Sequence, residues 1–370
     1  MAAVTLRIAV DLVFFTGRKG GTESYARGLF PALAAHEDLR FVGIGNRETA
    51  ADPPAWFPGE VVALPVSGEN RTAWAVAEAL AVGPRARWLG AHLLHCPSNF
   101  GPVVRWLPTV VTVHDLLPLR HPEWVPGGRA RGVQALTRAT AWAASRIITV
   151  SQASAADVHE FLGRPASDID VIYHGIESTD APDRVIDPLA RPYLLSGGNR
   201  MPHKNFERLL QALALIPAME RPRLVITGAH GADPLRPVVE QLGLSDDVEL
   251  RGWVSEEELA ALYRGATAYL FPSLFEGFGL PVLEAMARGC PVIGSDIPVL
   301  HEVGGDDMIY VDARSPSAIA TAVRRLVGDA DTQMVMSAAG RKRAAMFTWE
   351  RAADATAAVY RRVAAAVAVR

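Results

Sequence analysis

Cysteine is scarce in this chain: Cys96 and Cys290 are the only two among 370 residues, and they lie far apart. That excludes a disulfide framework and any cysteine-based zinc pattern, and it reads as a soluble cytoplasmic protein with reduced thiols. An excess of charge of one sign is lacking too. Lys and Arg total 37 against 40 Asp and Glu, for a net charge of −3. A dedicated nucleic-acid binder would usually be basic, so no nucleic-acid partner is expected. No uninterrupted apolar run reaches about 18 residues, which argues against a transmembrane helix. The ten histidines are scattered without ligand spacing, so no metal is expected. The N-terminal stretch "MAAVTLRIAVDLVFF" is broken by Asp11 and has no small-residue cleavage site after it. It reads as a buried strand and not as a signal peptide.

What is present is ordinary globular composition, 49% hydrophobic and 21% charged, with 31 glycines and 26 prolines punctuating short elements. At about 150 residues per domain the length suggests two domains. In the first half, "TLRIAVDLVF", "RFVGIGN", "HLLHCPS", "TVVTVHD", "RIITVS" and "DIDVIYHG" read as strands, several of them apolar throughout. "SYARGLFPALAAH" has helical spacing. From Glu177 to Pro192 the pattern dissolves into charges and prolines, a linker. The alternation then restarts with "PYLLSGGN", "RLVITGA", "VELRGWV", "TAYLFPS", "PVIGSD" and "MIYVD" as strands. The helix "SEEELAALYRGA" opens on a capping box of Ser255 and Glu258. A long Ala-rich helix capped by Thr348 closes the sequence. Such alternation predicts two α/β domains, each a doubly wound parallel sheet with right-handed crossovers.

The most informative segment is "LFEGFGLPVLEA". Glu276 and Glu284 bracket seven residues that include Gly277, Gly279 and Pro281. Proline is best placed in the first helical turn, so a helix is predicted from about Leu280, with Glu284 in its first turn. The glycines let a ligand approach the backbone, and the amides at the helix start attract anions. Carboxylates beside such amides would repel a bare phosphate. A ligand with both phosphates and hydroxyls resolves the conflict, and a nucleotide diphosphate sugar is such a ligand. A glutamate that merely complements the helix dipole is the plain alternative for Glu284.

This constellation resembles the E-x7-E motif of the retaining family 4 glycosyltransferases, which have the GT-B fold. "VTVHDLLPLRHPEW", "VIYHGIE", "NRMPHKNFERLLQAL", "RGWVSEEELAALY" and "FTWERAA" are in keeping with that family, so the resemblance spans nearly the whole chain. Its nearest likeness is to the mannosyltransferase-like branch that builds bacterial polysaccharides. The resemblance implies two Rossmann-like domains facing each other across a cleft: residues 1–180 for the acceptor, a linker at 181–192, and 193–346 for the nucleotide sugar. The helix at 347–370 would cross back to the first domain.

It also implies roles. Arg200 and Lys204, beside Gly197 and Gly198, would stabilise the departing diphosphate, without a metal cofactor. Glu276 would hold sugar hydroxyls and Glu284 the ribose. Gly277, Phe278, Gly279 and Leu280 would line the donor. Trp253 and Val254 would lie along the base. His114 would sit by the sugar and reacting phosphate, with Asp115 holding the imidazole or capping the next segment. Gly20 and Gly21, in the first strand–helix loop, would bring amides to the diphosphate, and Arg18 and Lys19 could meet an anionic acceptor.

Each has a plainer reading: solvated basic residues, a core histidine, a core tryptophan, ordinary loop glycines. Two positions depart from the family pattern. His203 stands where relatives often carry a second cation, and "YHG" at Tyr173–Gly175 replaces an asparagine–glycine pair. The absence of G-x-G-x-x-G in "GRKGGTES" counts against a NAD enzyme. "DID" at Asp168–Asp170 imitates a metal-binding D-x-D but reads as a surface turn, and Ser151, Ser154 and Asp157 read as helix capping.

The expected reaction is hexosyl transfer from a nucleotide sugar, with GDP-mannose the first choice, to a glycan or lipid-linked acceptor. A lipid-linked acceptor would imply peripheral membrane contact, for which no basic amphipathic helix is visible. A nucleotide-sugar epimerase and a non-catalytic nucleotide-sugar binder are the rival classes.

Overall fold

The computed structural model describes residues 5–17, 20–125, 129–177 and 192–368. Arg18, Lys19 and all of the linker except Pro192 lie outside the described residues. The chain forms two compact units: residues 1–177 with 347–370, and residues 178–346.

Among the described residues the first unit holds seven strands: β1 (Leu6–Leu12), β2 (Leu39–Gly45), β3 (Gly59–Ala63), β4 (Leu93–Cys96), β5 (Thr109–Val113), β6 (Arg146–Thr149) and β7 (Ile169–Val171). Their order is β3-β2-β1-β4-β5-β6-β7, every neighbour parallel. Both faces are covered, which is why β1 is buried along nearly its whole length, Asp11 included. Ile8, Val10 and Leu12 pack with Leu29 and Phe30 on one side, while Ala9 and Val13 join Val42, Ile44 and Val82 on the other.

The second unit repeats the plan. Its strands are β8 (Tyr193–Gly197), β9 (Arg223–Ala229), β10 (Val248–Gly252), β11 (Ala268–Phe271), β12 (Val292–Ser295) and β13 (Ile309–Val311). They run parallel in the order β10-β9-β8-β11-β12-β13. Each unit is therefore doubly wound, with one reversal of strand order: between β1 and β4 in the first, between β8 and β11 in the second. The chain is an α/β fold of two Rossmann-like units.

After the second unit the chain returns to the first. The amide of Ile176 donates to Phe347 O at 3.1 Å, and Ile176 bridges Thr348. The helix Trp349–Ala368 then packs against the helix Gly21–Leu33. Trp349 lies so close that a Cβ on Gly28 would fall 1.9 Å from its ring. Ala353, Ala357 and Tyr360 are fully buried in the same core. No helix among the described residues is long and apolar enough to cross a membrane.

Two local expectations need correction. Ser255 caps its helix by accepting from the Glu258 amide at 3.1 Å, but the Glu258 carboxylate accepts from Arg251 at 2.8 Å, so an ion pair replaces the reciprocal half of the capping box. Asp170 is not in a surface turn. It lies in β7 and pairs with Arg146 at 2.7 Å and Arg362 at 2.6 Å, because two arginines there need a counter-charge; only Asp168 occupies the preceding turn.

Gly28→Ala is expected to lower the melting temperature, at about 1–3 kcal/mol of overpacking. In a Trp349→Ala background the same change should cost far less, as a double-mutant cycle by thermal denaturation would read. Equal costs in both backgrounds would mean that the two helices do not meet through this contact.

Candidate active site

In a doubly wound sheet, loops leaving the carboxyl ends of the two strands at the reversal point diverge and open a crevice. In the second unit these strands are β8 and β11. The loop after β8 carries Gly198, Arg200 and Lys204; the loop after β11 carries Glu276. The two meet there: Lys204 Nζ donates to Glu276 Oε1 at 2.6 Å, with both side chains largely buried. The same ammonium sits 5.3 Å from the centre of the Phe271 ring.

Lys204 ends a short 3-10 turn, Pro202–Lys204, and Asn205 follows in a left-handed conformation at φ 60°. The Asn205 amide group explains that backbone. Nδ2 donates to Pro272 O at 3.0 Å and to Ala313 O at 2.8 Å, tying the lysine loop to the carboxyl ends of β11 and β13. Leu274 N donates to His203 O at 2.7 Å and closes the two loops together. His203 itself is buried, so it does not offer an exposed second cation beside Lys204.

Arg200 is differently engaged. Its Nε and Nη2 bind the Asp233 carboxylate, the latter at 2.7 Å, and Nη1 donates to Gly198 O at 2.7 Å and Thr227 O at 2.9 Å. At most one of its five protons remains for a phosphate. Burial pushes the Asp233 carboxyl up, but the Arg200 bond, the Leu235 amide and the nearby arginine charges outweigh it and hold the group below its usual range.

The helix Leu280–Ala287 follows the Glu276 loop, with Gly279 as N-cap. Gly279 has φ 109°, and a Cβ there would also fall 2.9 Å from Leu300 Cδ2, so only glycine fits. The amide cradle is smaller than expected. Pro281 has no N–H and Val282 N is bonded to Gly279 O, which leaves the amides of Gly279 and Leu280 heading the helix. Phe278 is buried beneath them. Glu284 is not in the first turn: with the cap at Gly279 it is the fifth helical residue, and its carboxylate accepts from Tyr263 Oη at 3.4 Å. The dipole alternative for Glu284 weakens accordingly.

Trp253 follows β10 and is 63% exposed, not core. Its indole is stacked on His230, from the loop after β9, with centroids 5.2 Å apart. Val254 beside it is half-buried.

In the first unit the reversal lies between β1 and β4. Gly20 is the N-cap of the first helix and Gly21 its first residue, so Gly21 is helical and not in the loop. A Cβ at either would meet nothing within 4 Å, so the space over this helix start is open. Glu23 fixes the approach, accepting from Thr16 N at 2.7 Å and Thr16 Oγ1 at 3.0 Å.

His114 stands just past β5. Its Nε2 bonds Pro97 O at 2.7 Å; a carbonyl only accepts, so the proton is on Nε2 and Nδ1 keeps a lone pair. Asn99 Oδ1 accepts from His114 N at 2.7 Å and Ser154 Oγ donates to His114 O at 3.0 Å, so the backbone is held from both sides. Burial lowers the imidazole pKa to about 4, against the opposing bond to Pro97, so it is neutral at pH 7. Asp115 does not hold the imidazole; its side chain accepts from Leu117 N at 3.0 Å.

A buried relay lies behind this histidine. Tyr360 Oη contacts His95 Nδ1 at 2.6 Å, His95 Nε2 contacts Thr112 Oγ1 at 2.8 Å, and Thr112 contacts Tyr25 Oη at 3.2 Å. Tyr25 meets the His114 ring edge-on at 5.0 Å. Sequence reasoning missed Asn205, Asp233, Asn99 and His230, and it read Ser154 only as helix capping, not as a support of His114. Asn199–Asn205 sits inside a motif already singled out, but the partners across the sheet leave no local pattern.

The family described as Glycosyltransferase Family 4 matches residues 19–180, and that described as Glycosyl transferases group 1 matches residues 182–343. O-antigen chain mannosyltransferase B of Escherichia coli is 30% identical over 283 residues, covering 73% of this chain and 74% of that one. Glycogen synthase of Mycobacterium tuberculosis is also 30% identical, over 74% of this chain and 66% of its own length. Among solved structures, sucrose-phosphate synthase of Thermosynechococcus elongatus superposes with a TM-score of 0.79 at 23% identity, covering 98% of this chain and all of that one.

Three buried histidines of the first unit are held neutral, chiefly by burial: His95, lowered to about 3, His114, lowered to about 4, and His174, far below its ordinary 6.5. The unfolded chain therefore binds more protons as pH falls below 6.5, and stability falls with it, by about 1.4 kcal/mol per pH unit for each proton taken up. Asp11, raised by burial to about 7, opposes this but is one group against three. Urea midpoints between pH 7 and pH 4 should fall, and His95→Gln should flatten the slope. An unchanged slope in that variant would remove His95 from the account.

Proposed function

Because the chain belongs to glycosyltransferase family 4 and has its GT-B fold, we propose that it moves a hexosyl group from a nucleotide diphosphate sugar to an acceptor hydroxyl, with retention at the anomeric carbon. The observation that carries this reading is the Lys204–Glu276 contact at the reversal point of the second sheet, beside the amides of Gly279 and Leu280.

A donor entering there offers each partner a replacement. Its diphosphate takes the Lys204 ammonium and the two amides; its hexose hydroxyls donate to Glu276. Glu284 accepts from the ribose, and Trp253 with Val254 lies along the base. Gly198 lets the diphosphate approach the loop, and Arg200 supports it chiefly by fixing that loop. His114 is assigned to the donor sugar and reacting phosphate, and Gly20 and Gly21 to the diphosphate, on the family resemblance alone.

The chemistry follows from charge. As the bond from the anomeric carbon to the β-phosphate oxygen breaks, negative charge grows on the phosphate and positive charge on the sugar. Lys204 stabilises the first and Glu276 the second, with no metal cofactor in this reading. The acceptor oxygen attacks from the face that the phosphate leaves, and its proton passes to the departing phosphate oxygen. A trapped covalent sugar–enzyme adduct would overturn this same-face route.

GDP-mannose is the proposed donor and a glycan or lipid-linked hydroxyl the proposed acceptor. The similarity to an O-antigen mannosyltransferase supports mannose, while equal identity to a glycogen synthase shows how little overall identity says about the sugar.

Lys204→Ala is expected to cut transfer about 10²–10³-fold, the usual loss of one transition-state charge contact, while the protein remains folded by circular dichroism. Near-wild-type release of nucleotide diphosphate would sink the assignment. In a thermal-shift panel of UDP, GDP, ADP and dTDP sugars, GDP-mannose should raise the melting temperature most. A larger shift with another nucleotide sugar would replace the donor but keep the site.

A further inference from the structure

One face of the first unit has no place in the chemistry above. Between residues 79 and 156 the sequence carries eight arginines and only two carboxylates, Asp115 and Glu123, although the whole chain is slightly acidic. The same span holds four of the eight tryptophans. The fold gathers three of them at one edge. Trp88 precedes β4, Trp106 precedes β5 and Trp142 precedes β6. The strands are parallel neighbours, so all three indoles belong to the amino ends of the sheet. His114 and Gly20 lie at the carboxyl ends, the opposite edge. Asp115 and Glu123 also follow the carboxyl end of β5, away from the tryptophans.

The three indoles are 73%, 42% and 67% exposed, an unusual state for the most costly side chain to leave in water. Arginines bind them into one surface. The Arg85 guanidinium lies 4.4 Å from the Trp88 ring, and that of Arg105 lies 5.0 Å from the Trp142 ring. Arg87 donates to Trp106 O at 3.3 Å and Arg105 to Trp142 O at 2.5 Å. The nearby Asp168 is already paired with Arg164 at 2.9 Å.

We propose that this amino-end edge docks on an anionic lipid surface, with Trp88, Trp106 and Trp142 at headgroup depth and Arg85, Arg87 and Arg105 on the lipid phosphates. Indole is amphipathic and settles where apolar chains meet water, and guanidinium forks match phosphate. Charge complementarity selects this occupant: Arg85, Arg87 and Arg105 meet the exposed tryptophans at this edge, while the nearby Asp168 and Asp170 are paired with Arg164 and Arg146. No amphipathic helix is needed, because three separate segments meet at the amino ends of three neighbouring strands. The inference rests on the lipid-linked acceptor of the proposed function, to which it gives a site of attachment.

The test is co-sedimentation of the full chain with phosphatidylcholine vesicles, with and without phosphatidylglycerol, at low and high salt. Binding should require phosphatidylglycerol, weaken with salt and bring a blue shift of tryptophan fluorescence. Arg85→Gln with Arg87→Gln should weaken it about fivefold per arginine removed. Trp88→Ser with Trp142→Ser should shrink the blue shift to the part that Trp106 supplies. Melting temperature and donor hydrolysis should stay unchanged in both variants, which separates docking from folding. Failure of the wild type to sediment, or equal sedimentation of the variants, would overturn the proposal. Concentration-dependent dimerisation through the same residues, without vesicle binding, would overturn it in favour of a contact between copies of this chain. Donor and acceptor are absent from the assay, so its failure and the failure of the transferase reading remain distinguishable.

Discussion

A cation and a carboxylate, brought together where a sheet changes direction, organise the second unit. Lys204 and Glu276 are 72 positions apart in sequence, yet β8 and β11 are neighbours and their loops must leave side by side. Largely buried, neither charge is stable without a partner. Each serves as the other's counter-charge. A ligand that displaces the pair must satisfy both, which a bare phosphate or a bare sugar cannot do. In the function proposed above, this would favour a molecule with anionic and hydroxyl ends, through desolvation more than through shape.

Much of this was legible in the sequence because it depends on local rules. The apolar runs at β1, β5 and β11 are parallel strands covered on both faces. Gly279 and Pro281 mark a helix start, and "NRMPHKN" lies at the end of a strand. Other elements gave less signal. β3 is a short edge strand with exposed and half-buried residues, so it lacks the apolar run that exposes the others. The helix start at Leu280 is legible from Pro281, but Glu284 is the fifth residue from that start and so lies just past the first turn.

The supports of the site were hardest to read. Asn205 reaches Pro272 and Ala313, and Arg200 reaches Asp233, across separations that no periodicity records. Arg200 shows the limit clearly. Residue type and position suggested a phosphate ligand; most of its protons turn out to hold its own loop and the next. The exposed tryptophans likewise carry no periodic signal, because they come from three different segments.

The return of residues 347–370 to the first unit has a consequence for synthesis. Trp349 and Tyr360 complete a core whose other walls, β1 and the helix Gly21–Leu33, emerge from the ribosome more than three hundred residues earlier. The second sheet is contiguous in the chain and can close while translation continues. The first must wait with an apolar flank uncovered until residues 347–370 are made, so it stays exposed to aggregation for longer than the second.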